Sequence, residues 1–203
     1  MWIKGVSVLK ELIQLYIAPF LKRLGFRKKG MTWNREVNGI VHVIDIQSRR
    51  QRVDGSESFT INIGIFVNEL WLLFWNKDVP LFVKEENCYP RFRLGYLLSN
   101  FDPKRDKWWD IRSKEEIEKT GKELETLFTD KCLPFFDQIK SISDVLDISV
   151  VAKPNMPADK LYHAILLNIL GNKTESEQLI GGLCSDTHWG DRATEIAERL
   201  IKS

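Results

Sequence analysis

Apolar residues in the first part of the chain recur every three to four positions, the spacing that gathers side chains on one face of an α-helix. The series is Val6, Leu9, Leu12 or Ile13, Tyr16, Phe20 and Leu24. We therefore expect an amphipathic helix that Pro19 kinks, because proline lacks the amide hydrogen of the helical ladder. Gly25 favours the end of this helix.

The pattern then changes to alternation, which is typical of strands with one buried face. Residues 31–37 and 40–47 flank Asn38-Gly39, a dipeptide that suits a two-residue hairpin turn because both positions need positive φ. Residues 59–67 alternate most clearly, and Ile61, Ile63 and Ile65 are predicted to face the core, against the first helix and a later one. We expect a fourth strand over residues 92–98 and a fifth strand or edge segment over 106–111.

Helical patterns dominate the rest of the chain. The apolar cluster at 71–75 indicates a loop or a short helix over the sheet. Ser113 and Glu116 suggest a capping box at the start of a helix that runs to Cys132, and Pro134 should end or kink that helix. Further helices are expected over residues 158–170, 174–184 and 190–201.

These elements predict an α+β fold, in which an antiparallel sheet of four to five strands is flanked by helices and followed by an all-helical C-terminal tail. We divide the chain into a sheet-and-helix domain at residues 1–140 and a helical extension at 141–203 that packs on it. Residues 153–157, which contain two prolines, form the most linker-like segment.

The amino-acid composition limits the class of protein and the cellular compartment in which we expect it. The chain has 203 residues and a formal net charge of +2, so no overall field favours nucleic acid or a membrane surface. No segment approaches the roughly 20 apolar residues of a membrane span, and Lys10 and Glu11 interrupt the apolar run that a signal peptide needs. Three widely spaced cysteines fit neither a disulfide framework nor a zinc site. We expect a soluble, cytoplasmic protein without a membrane partner.

Residues that could carry catalysis are few. His42 shares a strand face with Ile44 and Ile46, and His163 lies within an apolar helix, so packing explains both better than catalysis does. Capping or packing likewise accounts for His188. The sequence contains no metal-ligand spacing, no nucleophile elbow and no phosphate loop. We therefore predict no catalytic residue, no metal and no cofactor.

One set of polar and aromatic residues is a candidate binding surface, because period-two alternation places several of its members on one face of the predicted sheet. The set is Asp45, Gln47, Arg49, Arg50, Thr60, Asn62, Arg91, Arg93, Trp108 and Trp109. Two interpretations stay open: an antiparallel sheet with one wet face, or a polar, partly cationic binding face edged by tryptophans. If residues 108 and 109 are extended, one tryptophan is buried and the other exposed.

Arg93 is central to the prediction for this face. We expect Asn62 and Arg93 on the same side of the sheet, with Gln47 nearby. Arg93 should meet a carboxylate, a carbonyl or solvent, and Asp45 is its natural partner if the two strands are neighbours. In the functional interpretation Arg93 binds an anionic group of a ligand or partner. In the structural interpretation it only ties two strands together.

The order of several short motifs resembles a known family. The motifs are GFRKKG at 25–30, IQS at 46–48, FTINIG at 59–64, RLG at 93–95, DKWW at 106–109 and LPFF at 133–136. Together they resemble a bacterial family of unknown function, the domain family numbered 4304, over about residues 5–140. The resemblance implies a bacterial cytosolic α+β domain and supplies no catalytic residue. By analogy, some proteins of this sort resemble immunity proteins, which block secreted toxins.

Three functional hypotheses follow, in order of preference. The first is a non-enzymatic binding protein whose partner is another protein, such as a bacterial toxin that it inhibits, because aromatic and arginine anchors suffice for such a surface. The second is nucleic-acid binding through the arginine loop at residues 49–52, which the near-neutral charge disfavours. The third is an enzyme with an unrecognised site on the polar sheet face, placed last because open sheet faces seldom shift pKa values.

Overall fold

The fold is built on one antiparallel sheet. The structure, a computed structural model, describes residues 7–49, 56–102, 106–151 and 156–202. Within these ranges the strands are β1 (Arg27–Lys29), β2 (Thr32–Val37), β3 (Ile40–Ser48), β4 (Glu57–Val67), β5 (Arg91–Arg93) and β6 (Trp109–Ile111). β1 to β5 lie in this order across the sheet, and β6 also pairs with β4. The predicted α+β fold with an antiparallel sheet and a helical C-terminal part is confirmed.

Helices surround the sheet and form the C-terminal part of the chain. They are α1 (Val8–Leu12), α2 (Ala18–Arg23), α3 (Asn68–Trp75), α4 (Leu94–Leu98), α5 (Glu115–Leu127), α6 (Leu133–Asp137), α7 (Ile142–Val151), α8 (Pro157–Ile169), α9 (Lys173–Gly181) and α10 (Gly190–Lys202). Among the described residues, none of these helices combines the length and apolar character needed to cross a membrane.

β4 is the central strand, and the expected direction of its side chains is confirmed. Ile61, Ile63 and Ile65 have no exposed surface and belong to the main core cluster, together with apolar residues of α1, α5 and α8. The β2–β3 hairpin turns through Asn38 and Gly39, whose φ angles of 52° and 79° are the positive values that the dipeptide predicts.

The predicted fourth strand is shorter than expected, and residues 94–98 form the helix α4 instead. β3 pairs with residues 59–67 of β4, so β5 and β6 must share the other edge of β4. A strand continued to residue 96 would need Phe59 as its partner, but Phe59 is paired with Trp109 of β6. β1 was not predicted, because its exposed residues Arg27, Lys28 and Lys29 show no apolar alternation.

Each of the two long helical segments contains a π-helical turn just before a proline. Ile13–Ile17 joins α1 to α2, which carries Pro19, and Phe128–Cys132 joins α5 to α6, which carries Pro134. Because proline donates no hydrogen bond, a local widening of the helix accommodates it without ending the segment. The expected capping box is not formed, since Lys114 is the N-cap of α5 and its side chain makes no capping bond.

The C-terminal helices share the core of the sheet. Leu161, Ile165 and Ala193 are fully buried and belong to the same cluster as the β4 isoleucines. The predicted linker at 153–157 lies largely outside the described residues, and Pro157 already begins α8. The division of the chain into two units at residue 140 stays a prediction.

Candidate binding site on the polar sheet face

The strand register gathers the predicted polar residues on one face of the sheet. Asn62 pairs with Asp45 on one side and with Arg93 on the other, so these three residues form a row across β3, β4 and β5. Gln47 pairs with Thr60 one step along the same face, and Asn62 Nδ2 donates a hydrogen bond of 3.2 Å to Gln47 Oε1. The expectation that Asn62 and Arg93 share a face with Gln47 nearby is confirmed.

Asp45 is not the partner of Arg93, because the strands that carry them, β3 and β5, are not neighbours. Asn62 separates the two residues in the row, which places them about 10 Å apart at the usual strand spacing. Asp45 Oδ1 instead accepts a 2.7 Å hydrogen bond from Thr32 Oγ1 on β2. Arg93 forms its ion pair with Asp106, which lies in the segment that leads into β6.

Trp108 joins the arginines into one cluster. The Arg49 guanidinium carbon lies 3.7 Å from the centroid of the Trp108 ring, and that of Arg93 lies 5.3 Å from it. Trp108 Nε1 donates a 2.8 Å hydrogen bond to Asp106 Oδ2, the oxygen that also accepts from Arg93. We call Arg49, Arg93, Asp106 and Trp108 the Trp108 cluster.

Trp109 and Thr60 have structural roles. As the extended geometry predicts, neighbouring tryptophans point in opposite directions: Trp108 is half-buried, whereas Trp109 is buried and stacks on Phe59 with ring centroids 5.5 Å apart. Trp109 therefore lies on the core face, not with the other candidate residues. Thr60 is covered by the segment before β6, and its hydroxyl donates a 2.8 Å hydrogen bond to the Lys107 carbonyl.

Two of the candidate arginines form ion pairs with carboxylates, whereas Arg49 does not within the described residues. Arg91 pairs with Glu85, and Arg93 pairs with Asp106. Arg49 is exposed and forms no ion pair within the described part of the chain, although its amide extends the ladder by bonding to the Ser58 carbonyl at 2.9 Å. Arg50, the other candidate of this loop, lies outside the described residues.

The opposite end of the polar face carries a carboxylate that sequence reasoning missed. Glu85 lies in a short 3₁₀ turn, and it borders a cavity of about 310 Å³ together with Asp45 and Thr32. Burial raises the pKa of Glu85; the cation of Arg91 opposes this shift, and the negative charge of Asp45 reinforces it. In the sequence, Glu85 stands between Lys84 and another glutamate, a pattern typical of solvated loops, so no signal pointed to it.

The segment before β5 is fastened across the same face. The Asn34 amide forms two hydrogen bonds with the backbone of Val83, of 2.9 Å to its carbonyl and 2.7 Å from its amide. Gly64 of β4 lies under Cys88, so close that an added Cβ would stand 2.5 Å from the Cys88 Cβ. The polar face is therefore covered at two places, by residues 83–88 and by residues 106–108, and is not an open wet surface.

Comparison with known proteins assigns the chain to a family. The family model described as a domain of unknown function, DUF4304, matches residues 17–138, which is more than half of the chain. The chain belongs to this family. The DUF4304 match includes the described strands and the Trp108 cluster, and it ends before α7. No curated protein and no solved structure matches the chain.

The remaining titratable candidates of the DUF4304 region serve packing. Burial lowers the pKa of His42 to about 4, and this residue stacks on Phe136 inside the core. Burial raises the pKa of the thiols of Cys88 and Cys132, which disfavours the reactive thiolate. Among the described residues, no group of three or more histidine, cysteine or acidic side chains is arranged to bind a metal ion.

Proposed function

We propose that this chain is a cytoplasmic binding protein without catalytic activity, and that it recognises another protein through the Trp108 cluster. The observation that carries this proposal is the stacking of the Arg49 guanidinium on the Trp108 ring at 3.7 Å. Tryptophan and arginine are, with tyrosine, enriched among the energetic anchors of protein interfaces.

Contacts within the cluster position the Trp108 ring in the absence of a partner. Asp106 accepts hydrogen bonds from both Arg93 and Trp108, so the ring is fixed relative to the strands. A side chain that is already ordered loses less conformational entropy on binding, which favours affinity. Arg49 is exposed and has no carboxylate partner within the described residues, so we expect a carboxylate of the partner to bind there.

Affinity capture from a lysate of the native host tests the proposal when matched variants are compared. Arg49→Ala and Trp108→Ala should deplete the captured partner about tenfold. Arg112→Ala is the control, because Arg112 is an exposed arginine outside the cluster. Equal recovery of the partner with the wild-type chain and with all three of these variants would contradict the proposal. Arg93→Ala is a less selective test, since it also removes the ion pair to Asp106.

An inhibitor of a bacterial toxin, acting as immunity proteins do, is the partner relationship that we propose within this class. Such a protein needs a complementary surface and no catalytic residue, which agrees with the packing roles of His42, Cys88 and Cys132. The test is co-expression with the product of a toxin gene that neighbours the coding sequence in the genome. Growth should be rescued by the wild-type chain and not by Trp108→Ala; rescue by both would exclude a role for the cluster.

The alternative function for the Trp108 cluster is the binding of nucleic acid. Two guanidinium groups already lie over the Trp108 ring, so a stacked base would have to displace one of them. The net charge of +2 supplies little attraction for phosphates. Titration with a single-stranded oligonucleotide at two salt concentrations decides the matter, because tight binding that weakens steeply with salt would favour the nucleic acid.

A further inference from the structure

A second surface lies at the edge of the sheet, where the first helical segment faces β1. A groove of about 900 Å³ runs between them. Its lining residues are Ile13, Gln14, Ala18, Pro19, Lys22, Gly25, Phe26, Arg27, Lys28 and Trp33. Trp33 pairs with Ile44 in a row that belongs to the core face, so the groove lies mainly on that side of the sheet. Arg27 pairs with Asn34, and at this residue the groove reaches the edge of the polar sheet face.

The groove is apolar inside and basic at its rim. Lys22, Arg27 and Lys28 contribute positive charge, and no aspartate or glutamate is among its lining residues. Lys22 and Arg27 are exposed and form no ion pair within the described ranges. Cations that form no ion pair repel one another and attract an anionic occupant.

Trp33, which lines the groove, carries a buried donor. Trp33 is 1% exposed, and its Nε1 atom has no hydrogen-bond partner among the described residues. Leaving such a group unpaired costs about 1–3 kcal/mol, so buried donors are usually satisfied. Because this atom is closed to solvent, an occupant must displace the side chains that cover it before one of its acceptors can bond there.

The backbone beside the groove favours an extended peptide as that occupant. β1 is an edge strand that pairs only with β2 within the described part of the sheet. An edge strand presents unpaired amide and carbonyl groups to which another strand can add, with its side chains entering neighbouring pockets. The short, cationic edge of β1 disfavours a neutral or basic strand, whereas an acidic strand meets opposite charge. A small amphiphile would use the apolar lining and the cations but not this strand edge.

We propose that the groove binds an extended segment of a partner protein that carries acidic side chains flanking an apolar one. The segment adds to the edge of β1 and inserts its apolar side chain between the helix and the strand. Its carboxylates lie at Lys22, Arg27 and Lys28, and one of its acceptors bonds to Trp33 Nε1. This interaction is separate from the one proposed for the Trp108 cluster.

A library of random ten-residue peptides displayed on phage and selected on the full chain tests the proposal. Recovered sequences should combine acidic with apolar residues. The best of them, titrated into isotope-labelled protein, should shift the indole N–H resonance of Trp33 and the amides of β1. Binding should weaken about tenfold in Arg27→Glu and in Lys22→Glu, and should be unchanged in Arg112→Glu, a matched exposed arginine outside the groove.

Several results would overturn the proposal. One is a selection that recovers no peptide. Another is a set of neutral or basic peptides whose affinity is the same for wild type and Arg27→Glu. A third is a shift of the Trp33 indole by sodium dodecanoate alone, with no peptide producing it, which would assign the groove to a small anionic amphiphile. Loss of the Trp108 cluster through Trp108→Ala should leave peptide binding intact, so the two surfaces are tested independently.

Discussion

Because His42 is buried as the neutral ring, the fold should lose stability at mildly acidic pH. The ring lies in the core, stacked on Phe136 with centroids 4.6 Å apart. Nε2 is 3.1 Å from the carbonyl oxygen of Ile139, which can only accept, so Nε2 carries the proton. Nδ1 is 3.3 Å from the Arg35 guanidinium, which can only donate, so Nδ1 must be unprotonated. Only the neutral imidazole satisfies both neighbours.

The size of the effect follows from the pKa. Burial lowers the pKa of His42 from 6.5 to about 4; the Ile139 carbonyl and Asp137 oppose this shift, and Arg35 adds to it. Below its ordinary pKa the unfolded chain takes up a proton that the folded chain refuses, so stability falls as the pH falls. The loss attributable to this residue should be about 2 kcal/mol at about pH 5 and about 3 kcal/mol at about pH 4, relative to about pH 7.5.

The assay compares wild type with His42→Gln, which cannot titrate. Free energies of unfolding are measured by urea denaturation with tryptophan fluorescence at several pH values. Carboxylates shared by both proteins contribute equally, so the difference between the two proteins isolates His42. Wild type should be the more stable protein at about pH 7.5, and its advantage should shrink by about 2 kcal/mol at about pH 5. A difference that stays constant with pH would refute the reasoning.

Three further predictions concern the sheet. Ile63→Ala should cost roughly 2–5 kcal/mol, since Ile63 has no exposed surface; an unchanged thermal midpoint would contradict its place in the core. Gly64→Ala should cost roughly 1–3 kcal/mol by colliding with Cys88, and Gly64→Ala/Cys88→Gly should be more stable than Gly64→Ala, as thermal denaturation can check. Asn34→Ala should cost roughly 2–4 kcal/mol and speed hydrogen exchange of the Val83 amide, because both backbone groups of Val83 lose their partner; an amide that stays protected would argue against this clamp.

The central sheet could be predicted because its signals are local. Alternation in β4 and the Asn38-Gly39 turn depend on neighbouring residues only, and both determine strand direction and face. The length of β5 depends on a non-local fact, the pairing of Phe59 with Trp109, which no local pattern contains. The short basic strand β1 is likewise set by pairing with β2 and not by its own residues.

The strand residues of the candidate site could be predicted from the sequence, but the carboxylates that pair with its arginines could not. The alternation of side chains along each strand correctly predicted that Asp45, Asn62 and Arg93 lie on one face. The carboxylates that neutralise the arginines come from outside the strands, Asp106 before β6 and Glu85 in a 3₁₀ turn. The path of such segments across a sheet depends on packing between residues far apart in the sequence, which no local pattern reveals. From the sequence alone, Asp45 was therefore the carboxylate considered as the partner of Arg93, because it lies within a strand.

Because Arg93 is already paired with a carboxylate, we expect the binding partner to contact a different arginine. Asp106 already neutralises Arg93, and an incoming carboxylate would have to compete with that ion pair. Arg49 lies on the same Trp108 ring, is exposed, and has no such competitor within the described residues. A charge-assisted hydrogen bond to a free guanidinium costs the protein no existing ion pair, so its net contribution to binding is larger. In the proposed function, Arg93 and Asp106 would position the ring, and Arg49 would bind the partner's negative charge.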